Sequence, residues 1–161
     1  MRKSPASNSA QVPQIGEAMR GEDGHLPYLL SQAQAAMRLA LERALADLGV
    51  TPPQFSILTM IDSYPGLSGA DLARLAMLTP QTVNLIVRNL ERDGLIAKSP
   101  DDMHGRILRL QTTAAGHALR TKCRERASRV DKRVIAGLAA SEEKVVRRWL
   151  VRLAKDMRPN A

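Results

Sequence analysis

The chain has 161 residues, 44% of them hydrophobic, enough for one domain or one core plus an extension and too many for a wholly disordered chain. Aromatic residues make up 2%, which argues against single-strand readers that stack bases on aromatic platforms, and one cysteine excludes an internal disulfide framework or a cysteine-rich zinc site. Lys and Arg number 24 against 16 Asp and Glu, a net charge of +8 that points to a polyanionic partner. With no apolar run of membrane-spanning length and no hydrophobic leader, the expectation is a cytoplasmic protein with no membrane association.

Residues 1–24 read as a flexible tail, mixing Ser, Pro, Gln, Asn and Gly without a sustained period. From Pro27 onward Leu29, Leu30, Ala33, Met37, Leu41, Leu45 and Leu48 recur at helical spacing, and Gly49 suits the C-terminal cap of this first helix. Thr51-Pro52-Pro53 is a helix start, and Phe55, Leu58 and Ile61 form the apolar face of the second helix until Pro65-Gly66 stops it. Ser68 to Asp71 reads as a capping box with Asp in place of Glu, opening a short third helix through Leu72, Leu75 and Ala76. Thr79 caps a fourth helix with Pro80 at its first position; Val83, Ile86, Val87 and Leu90 give it one narrow buried stripe, and Gly94 ends it.

The period then changes to two. Leu95 to Lys98 and Ile107 to Thr112 read as short strands, joined by a polar loop from Pro100 to Arg106. Thr113 caps a fifth helix whose stripe, Leu119, Cys123, Ala127, Val130, Val134 and Leu138, is close to a heptad and suits packing on another helix. Ser141, with Glu142 and Glu143 in the first turn, opens a sixth helix faced by Val146, Trp149, Leu150, Leu153 and Met157. The fold class is therefore mostly α: six helices and a two-stranded β-hairpin in the order of a winged helix-turn-helix.

A helix of this kind fits the DNA major groove, and its N-terminal side chains reach deepest. Here they are Thr79, Pro80, Gln81, Thr82 and Asn84. Gln and Asn pair with adenine edges, and Thr meets a thymine methyl or a phosphate. Arg88 and Arg92 follow on the same side, placed for phosphates, and Ser68 at the start of the third helix joins this DNA-binding set. The hairpin tip carries His104 and Arg106 toward the adjacent minor groove. By segment, residues 1–24 are neutral, 25–73 carry −2, 74–129 carry +6 and 130–161 carry +4, so positive charge begins past the chain's midpoint.

Three stretches together resemble the MarR family of bacterial transcriptional regulators: LSGADLA from Leu67, TPQTVNLIVRNLERDGLI from Thr79, and His104-Gly105-Arg106 followed by Leu110, Thr113 and Gly116. The likeness is strongest over about residues 51–116 and extends with the flanking helices over 26–158. It implies a homodimer, with 25–50 and 113–161 as dimerisation helices and 51–112 as the DNA-binding lobe. It also implies a repressor, less often an activator, on a pseudo-palindromic operator, released by a small aromatic or lipophilic effector or by oxidation. Carried over by position, Gln81, Thr82, Asn84 and Arg88 read the groove and Arg106 is the wing-tip arginine. Many members have Asp two residues before that arginine; here His104 stands there, with Asp101 and Asp102 close by. The family's ligand pocket would be lined by Tyr28, Met37, Phe55 and Met60.

Two other readings compete. One is a winged-helix module that docks a protein, for which Leu85 is the exposed apolar candidate on the fourth helix. The other is an oxidant sensor acting through Cys123, whose basic neighbours Arg120, Lys122, Arg124 and Arg126 would activate an exposed thiol. Its place on the apolar stripe favours packing instead. His25, His104 and His117 lie at no metal-ligand spacing, and no nucleophile elbow or phosphate-binding glycine loop occurs. No catalytic residue, metal or cofactor is expected.

Overall fold

A computed structural model describes residues 12–100 and 108–157 of the chain. Residues 101–107, with the wing-tip His104 and Arg106, lie outside the described residues. The chain divides into one unit ending at Leu39 and another beginning at Ala40. In the first, a 3-10 turn at Ala18–Arg20 precedes helix α1 (Leu26–Leu45), which runs on into the second unit. Within the segment read as a tail, the Arg20 guanidinium donates to the Pro13 carbonyl at 2.9 Å and to Gln32 Oε1 on α1 at 3.1 Å.

The second unit continues with α2 (Pro52–Ser63), α3 (Gly69–Ala76), α4 (Pro80–Arg92), strands β1 (Ile96–Pro100) and β2 (Leu108–Thr112), α5 (Ala114–Val134) and α6 (Ala140–Asp156). Its boundaries are set by caps. Thr51, Ser68, Thr79 and Thr113 each accept a hydrogen bond from the backbone N–H three residues on, satisfying a donor that the first turn leaves unpaired. A single 3-10 turn separates the end of α1 from Gly49, which takes φ +66° and turns the chain.

Three boundaries differ from the sequence reading. α6 starts at Ala140, one residue before Ser141. Ala139 has no side-chain oxygen to cap it, and the Glu142 carboxylate accepts from the Ala139 N–H at 2.7 Å instead. The strands pair antiparallel from Ile96↔Thr112 to Pro100↔Leu108, and β1 begins one residue later and ends two residues later than expected. Leu95 is excluded because its N–H donates to Leu90 at 2.9 Å and its carbonyl accepts from Thr113 at 3.1 Å. The turn after α3 is closed without glycine: Met77 takes φ +53°, and the Leu78 N–H reaches back to Ala73 at 3.0 Å.

The main core lies where α2, α3 and α4 meet the hairpin. The four stripe residues of α4, Val83, Ile86, Val87 and Leu90, are all buried there against Ile57, Leu58, Leu72, Ile96 and Leu110. A smaller cluster joins Leu45, Val50 and Cys123, with Phe55 and Leu119 packed on it. α5 is fixed to this lobe in two ways. Asp62 on α2, its side chain only 15% exposed, faces His117 Nδ1 and Arg120 Nη2 of α5, each at 2.8 Å. Nearby, α5 crosses the hairpin base so closely that a Cβ on Gly116 would stand 2.0 Å from the Leu95 carbonyl oxygen and 2.8 Å from Thr112 Cγ2. Both obstacles sit at the hairpin base, and the nearer one is backbone that cannot swing aside. Gly116→Ala is therefore expected to destabilise the fold by about 2 kcal/mol, the cost of overpacking a tight site, measured as a lower urea midpoint at unchanged slope.

Candidate nucleic-acid interface

α3, the Met77 turn and α4 hold the candidate reading surface. Because one side of α4 is committed to the core, its other side is fixed in solvent: Gln81, Thr82, Asn84, Leu85 and Arg88 are all exposed. Gln81, Thr82, Asn84 and Arg88 thus share a face, as the spacing required. Their freedom differs. The Thr82 hydroxyl lies 2.8 Å from the capping Thr79 hydroxyl, so these two are engaged with each other. Asn84 leans toward Gly69 at the start of α3, where a Cβ would come within 3.6 Å of its Oδ1. Arg88 Nε donates to the Asn84 carbonyl at 3.4 Å, a long contact on an exposed side chain. Gly69, Asn84, Val87, Arg88, Lys98 and Leu110 line an open cleft of about 460 Å³ beside the helix.

Other cations around α4 are neutralised locally. Arg92 pairs with Asp93 at 2.9 Å, Lys98 with Glu91 at 2.6 Å, and Arg74 with Asp71. The Ser68 hydroxyl donates to Asp71 Oδ2 at 2.6 Å and accepts from the Asp71 N–H, so its first task is to cap α3. Pro80 occupies the first turn of α4.

The charge count changes once it follows the elements. The +6 found over 74–129 straddles the lobe and α5. Residues 51–112 hold six basic and six acidic residues and are neutral, residues 1–50 hold five of each, and residues 113–161 hold thirteen basic against five acidic, net +8. The positive charge expected to begin past the chain's midpoint is thereby relocated: the whole excess belongs to α5, α6 and the residues that follow.

Of the four residues expected in a pocket, Tyr28 and Met37 belong to the first unit and are about two-fifths exposed. Phe55 packs on the small cluster, and Met60 packs on the main core. Nothing in the sequence marked a separate apolar hollow of about 480 Å³ lined by Glu42, Ala46, Gly49, Val50, Thr51, Pro52 and Pro53. Nor did it join Asp62 to His117 and Arg120, because a lone carboxylate in an amphipathic helix carries no mark of its partner. Cys123 is fully buried, and that burial pushes its thiol up, away from the reactive thiolate. No helix among the described residues is long and apolar enough to cross a membrane.

The family profile described as MarR family matches residues 48–107. The HTH-type transcriptional repressor Mb2911 of Mycobacterium bovis is 38% identical over 135 residues, 84% of this chain and 97% of that protein. The chain belongs to the MarR family. It is a member of the winged-helix transcriptional regulators, with α4 as recognition helix and β1–β2 as wing. Among solved structures, the MarR family protein Rv2887 of Mycobacterium tuberculosis in complex with p-aminosalicylic acid is 37% identical, over 81% of this chain and 99% of that one, with a TM-score of 0.67. The same protein in complex with DNA is 37% identical over 81% and 98%, with a TM-score of 0.65. PcaV of Streptomyces coelicolor, in complex with its natural ligand, is 28% identical over 83% and 94%, with a TM-score of 0.72.

The Ser68–Asp71 cap that sets the MarR lobe's supporting helix is pH-dependent. The Ser68 hydroxyl and then its N–H, with help from Arg74, hold the Asp71 carboxyl at about 2 against an ordinary 3.8. A depressed carboxylate stabilises the fold above its unfolded value and ceases to do so as pH falls through its folded value. Asp71→Asn is therefore expected to be less stable than the parent at neutral pH, with the gap in urea midpoints closing between pH 4 and 2.

Proposed function

We propose that this MarR family protein is a ligand-responsive repressor that binds a pseudo-palindromic operator in duplex DNA as a homodimer. The observation that carries the reading is the two-sided recognition helix: four buried aliphatics fix its rotation, and Gln81, Thr82, Asn84 and Arg88 stand exposed opposite them. Gln81 and Asn84 read base edges, adenine by preference, and Thr82 supplies its methyl to thymine while its hydroxyl stays with Thr79. Arg88 and Arg92, with Ser68, Thr79 and the first turn at Pro80, set the register on phosphates, and the wing carries His104 and Arg106 to the flanking minor groove. On α4 itself Leu85, 55% exposed, is the one large apolar side chain in solvent; Met77 stands exposed on the turn before it, and neither is an aromatic or arginine anchor of the kind a protein-docking hot spot uses.

The dimer follows from α6. None of its residues is buried within one chain, although Val146, Leu150, Leu153 and Met157 line one side of it. A second copy covers that side together with Val134 at the end of α5 and Leu138 in the turn after it, and two lobes then meet half-sites about 34 Å apart. The effector is a small aromatic acid, by analogy with the relative Rv2887, solved with p-aminosalicylic acid. It acts by binding better to a dimer whose lobe spacing misfits DNA, and linkage makes the loss of DNA affinity equal to that preference. The protein acts in the cytoplasm and has no catalytic function.

The test is a mobility-shift titration on the DNA upstream of the protein's own gene, with unrelated competitor in excess. A competitor-resistant complex of two protomers per site is expected; competitor-sensitive binding to that DNA and to every sequence selected from a random pool would overturn the reading. Asn84→Ala is expected to relax preference at particular base pairs by about 1–3 kcal/mol each. Arg88→Ala is expected to weaken all sequences alike and lower the salt slope by about 1. Cys123→Ser is expected to leave DNA binding and its response to peroxide unchanged, because the thiol is buried and protonated; loss of a peroxide response in that variant would instead make the cysteine the sensor.

A further inference from the structure

The basic residues of α5 and α6 are arranged, not scattered. On α5, Lys122, Arg126, Arg129 and Arg133 follow one another at steps of four, three and four, which places them along one edge of the helix. On α6, Lys144, Arg148, Arg152 and Lys155 do the same at steps of four, four and three, on the side opposite Val146, Leu150, Leu153 and Met157. All eight are exposed except Arg126, which is half-buried and pairs with Asp47 at 2.8 Å. None of the other seven has an ion pair among the described residues, whereas most cations around α4 are paired. Cations set three and four apart on a helix repel one another. Among the described residues only the Arg126–Asp47 pair offsets this repulsion directly, and a polyanion would offset the rest.

We propose that these two edges form a second, sequence-independent surface for the phosphate backbone of duplex DNA, distinct from the recognition helix. The proposal rests on the DNA-binding reading above and extends it to a face which that reading does not use. Each α5 or α6 row is about 16 Å long at 1.5 Å per residue. A duplex presents one charge per 1.7 Å of axis, so every cation in a row finds a phosphate without fixed register. Five of the eight cations are arginines, whose planar fork matches phosphate oxygens. α5 has no aromatic residue, and Trp149 of α6 is half-buried, so neither base stacking nor aromatic anchoring of a protein partner is provided for. The surface also stands away from the reading head. Arg126 of α5 pairs with Asp47, outside the lobe, and Arg133 lies about 25 Å along the helix axis from Gly116, where α5 crosses the hairpin base. Covering the apolar side of α6 with a second copy leaves the basic side outward.

The experiment is a salt titration of the full chain on a fluorescent 40-base-pair duplex of arbitrary sequence, read by anisotropy. Two variants are compared with the parent: R129Q/R133Q/R148Q/R152Q and its charge-keeping counterpart R129K/R133K/R148K/R152K. The glutamine variant is expected to bind this duplex more than tenfold more weakly and to lose about 3–4 from the log–log salt slope. The lysine variant should retain the parent slope. Parent-like slope and affinity in the glutamine variant would overturn the proposal, as would failure of the parent to bind the duplex at 50 mM salt. Loss in the lysine variant equal to that in the glutamine variant would likewise overturn it, assigning the effect to structure rather than charge. Vesicles containing phosphatidylglycerol are run as competitor; displacement of the duplex by lipid at matched charge would overturn it in favour of a membrane surface. Failure of the operator reading is separately visible, since it appears as absent sequence preference with the arbitrary-duplex slope intact.

Discussion

The structure depends on the dry side of α4. Four aliphatic side chains at spacings of three, one and three enter one core, and burial of each contributes about 1.5–3 kcal/mol. That stripe is too narrow to allow the helix to roll. Rotation by one residue would bring Asn84 or Arg88 into the core, where an unpaired polar group costs more than the lost burial. The face offered to a ligand is consequently determined by what the opposite face buries. The rest of the lobe serves the same end: α2 and α3 supply the walls, the hairpin closes the base through Ile96 and Leu110, and capping residues fix where each wall begins.

The lobe that carries this reading face is electrically neutral, and the chain's whole excess charge lies elsewhere. A neutral reading head is physically sensible. Contacts to base edges discriminate only when they are not overwhelmed by attraction to every phosphate, and local pairs such as Lys98–Glu91 reduce that attraction near α4. Long-range attraction, which speeds encounter and holds the protein on DNA of any sequence, needs no such proximity. Placing it on α5 and α6 separates capture from reading.

Most of the fold was legible because its signals are local. Thr79-Pro80, Thr113 and Ser68–Asp71 each mark a helix start within four residues, and the α4 stripe lies within about two turns of sequence. What stayed hidden depends on contacts distant in the chain. Leu95 reads as a strand residue by composition, but Leu90 and Thr113 take its backbone groups. Ala139 gives no capping signal, because Glu142 does the work from the other side. Met77 closes a turn in a conformation that sequence reading reserves for glycine. For the site, the exposed set on α4 was legible from periodicity, whereas the engagement of Thr82 with Thr79 and of Ser68 with Asp71 was not. The charge segments misled because they were cut by position rather than at the α5 boundary.

α5 is where the two roles meet. Its first turns are built into the lobe: Gly116 lies against the Leu95 carbonyl, Thr113 donates to Gly94 at 2.7 Å, and His117 and Arg120 share the Asp62 carboxylate. Two turns on, Cys123 closes the small cluster with Leu45 and Val50, and Arg126 reaches Asp47. Beyond that the helix leaves the lobe and carries its cations and its apolar edge outward to α6. A single rigid element therefore joins the face that reads DNA to the faces that await a partner. Any shift at the far end of α5 must be absorbed within the helix or passed to α2 through Asp62. Helices bend little without proline, glycine or an inserted side chain, and after Gly116 α5 contains no proline or glycine up to its end at Val134. The stiffness of that segment makes the lobe's orientation answerable to whatever binds at α5's distal end and along α6.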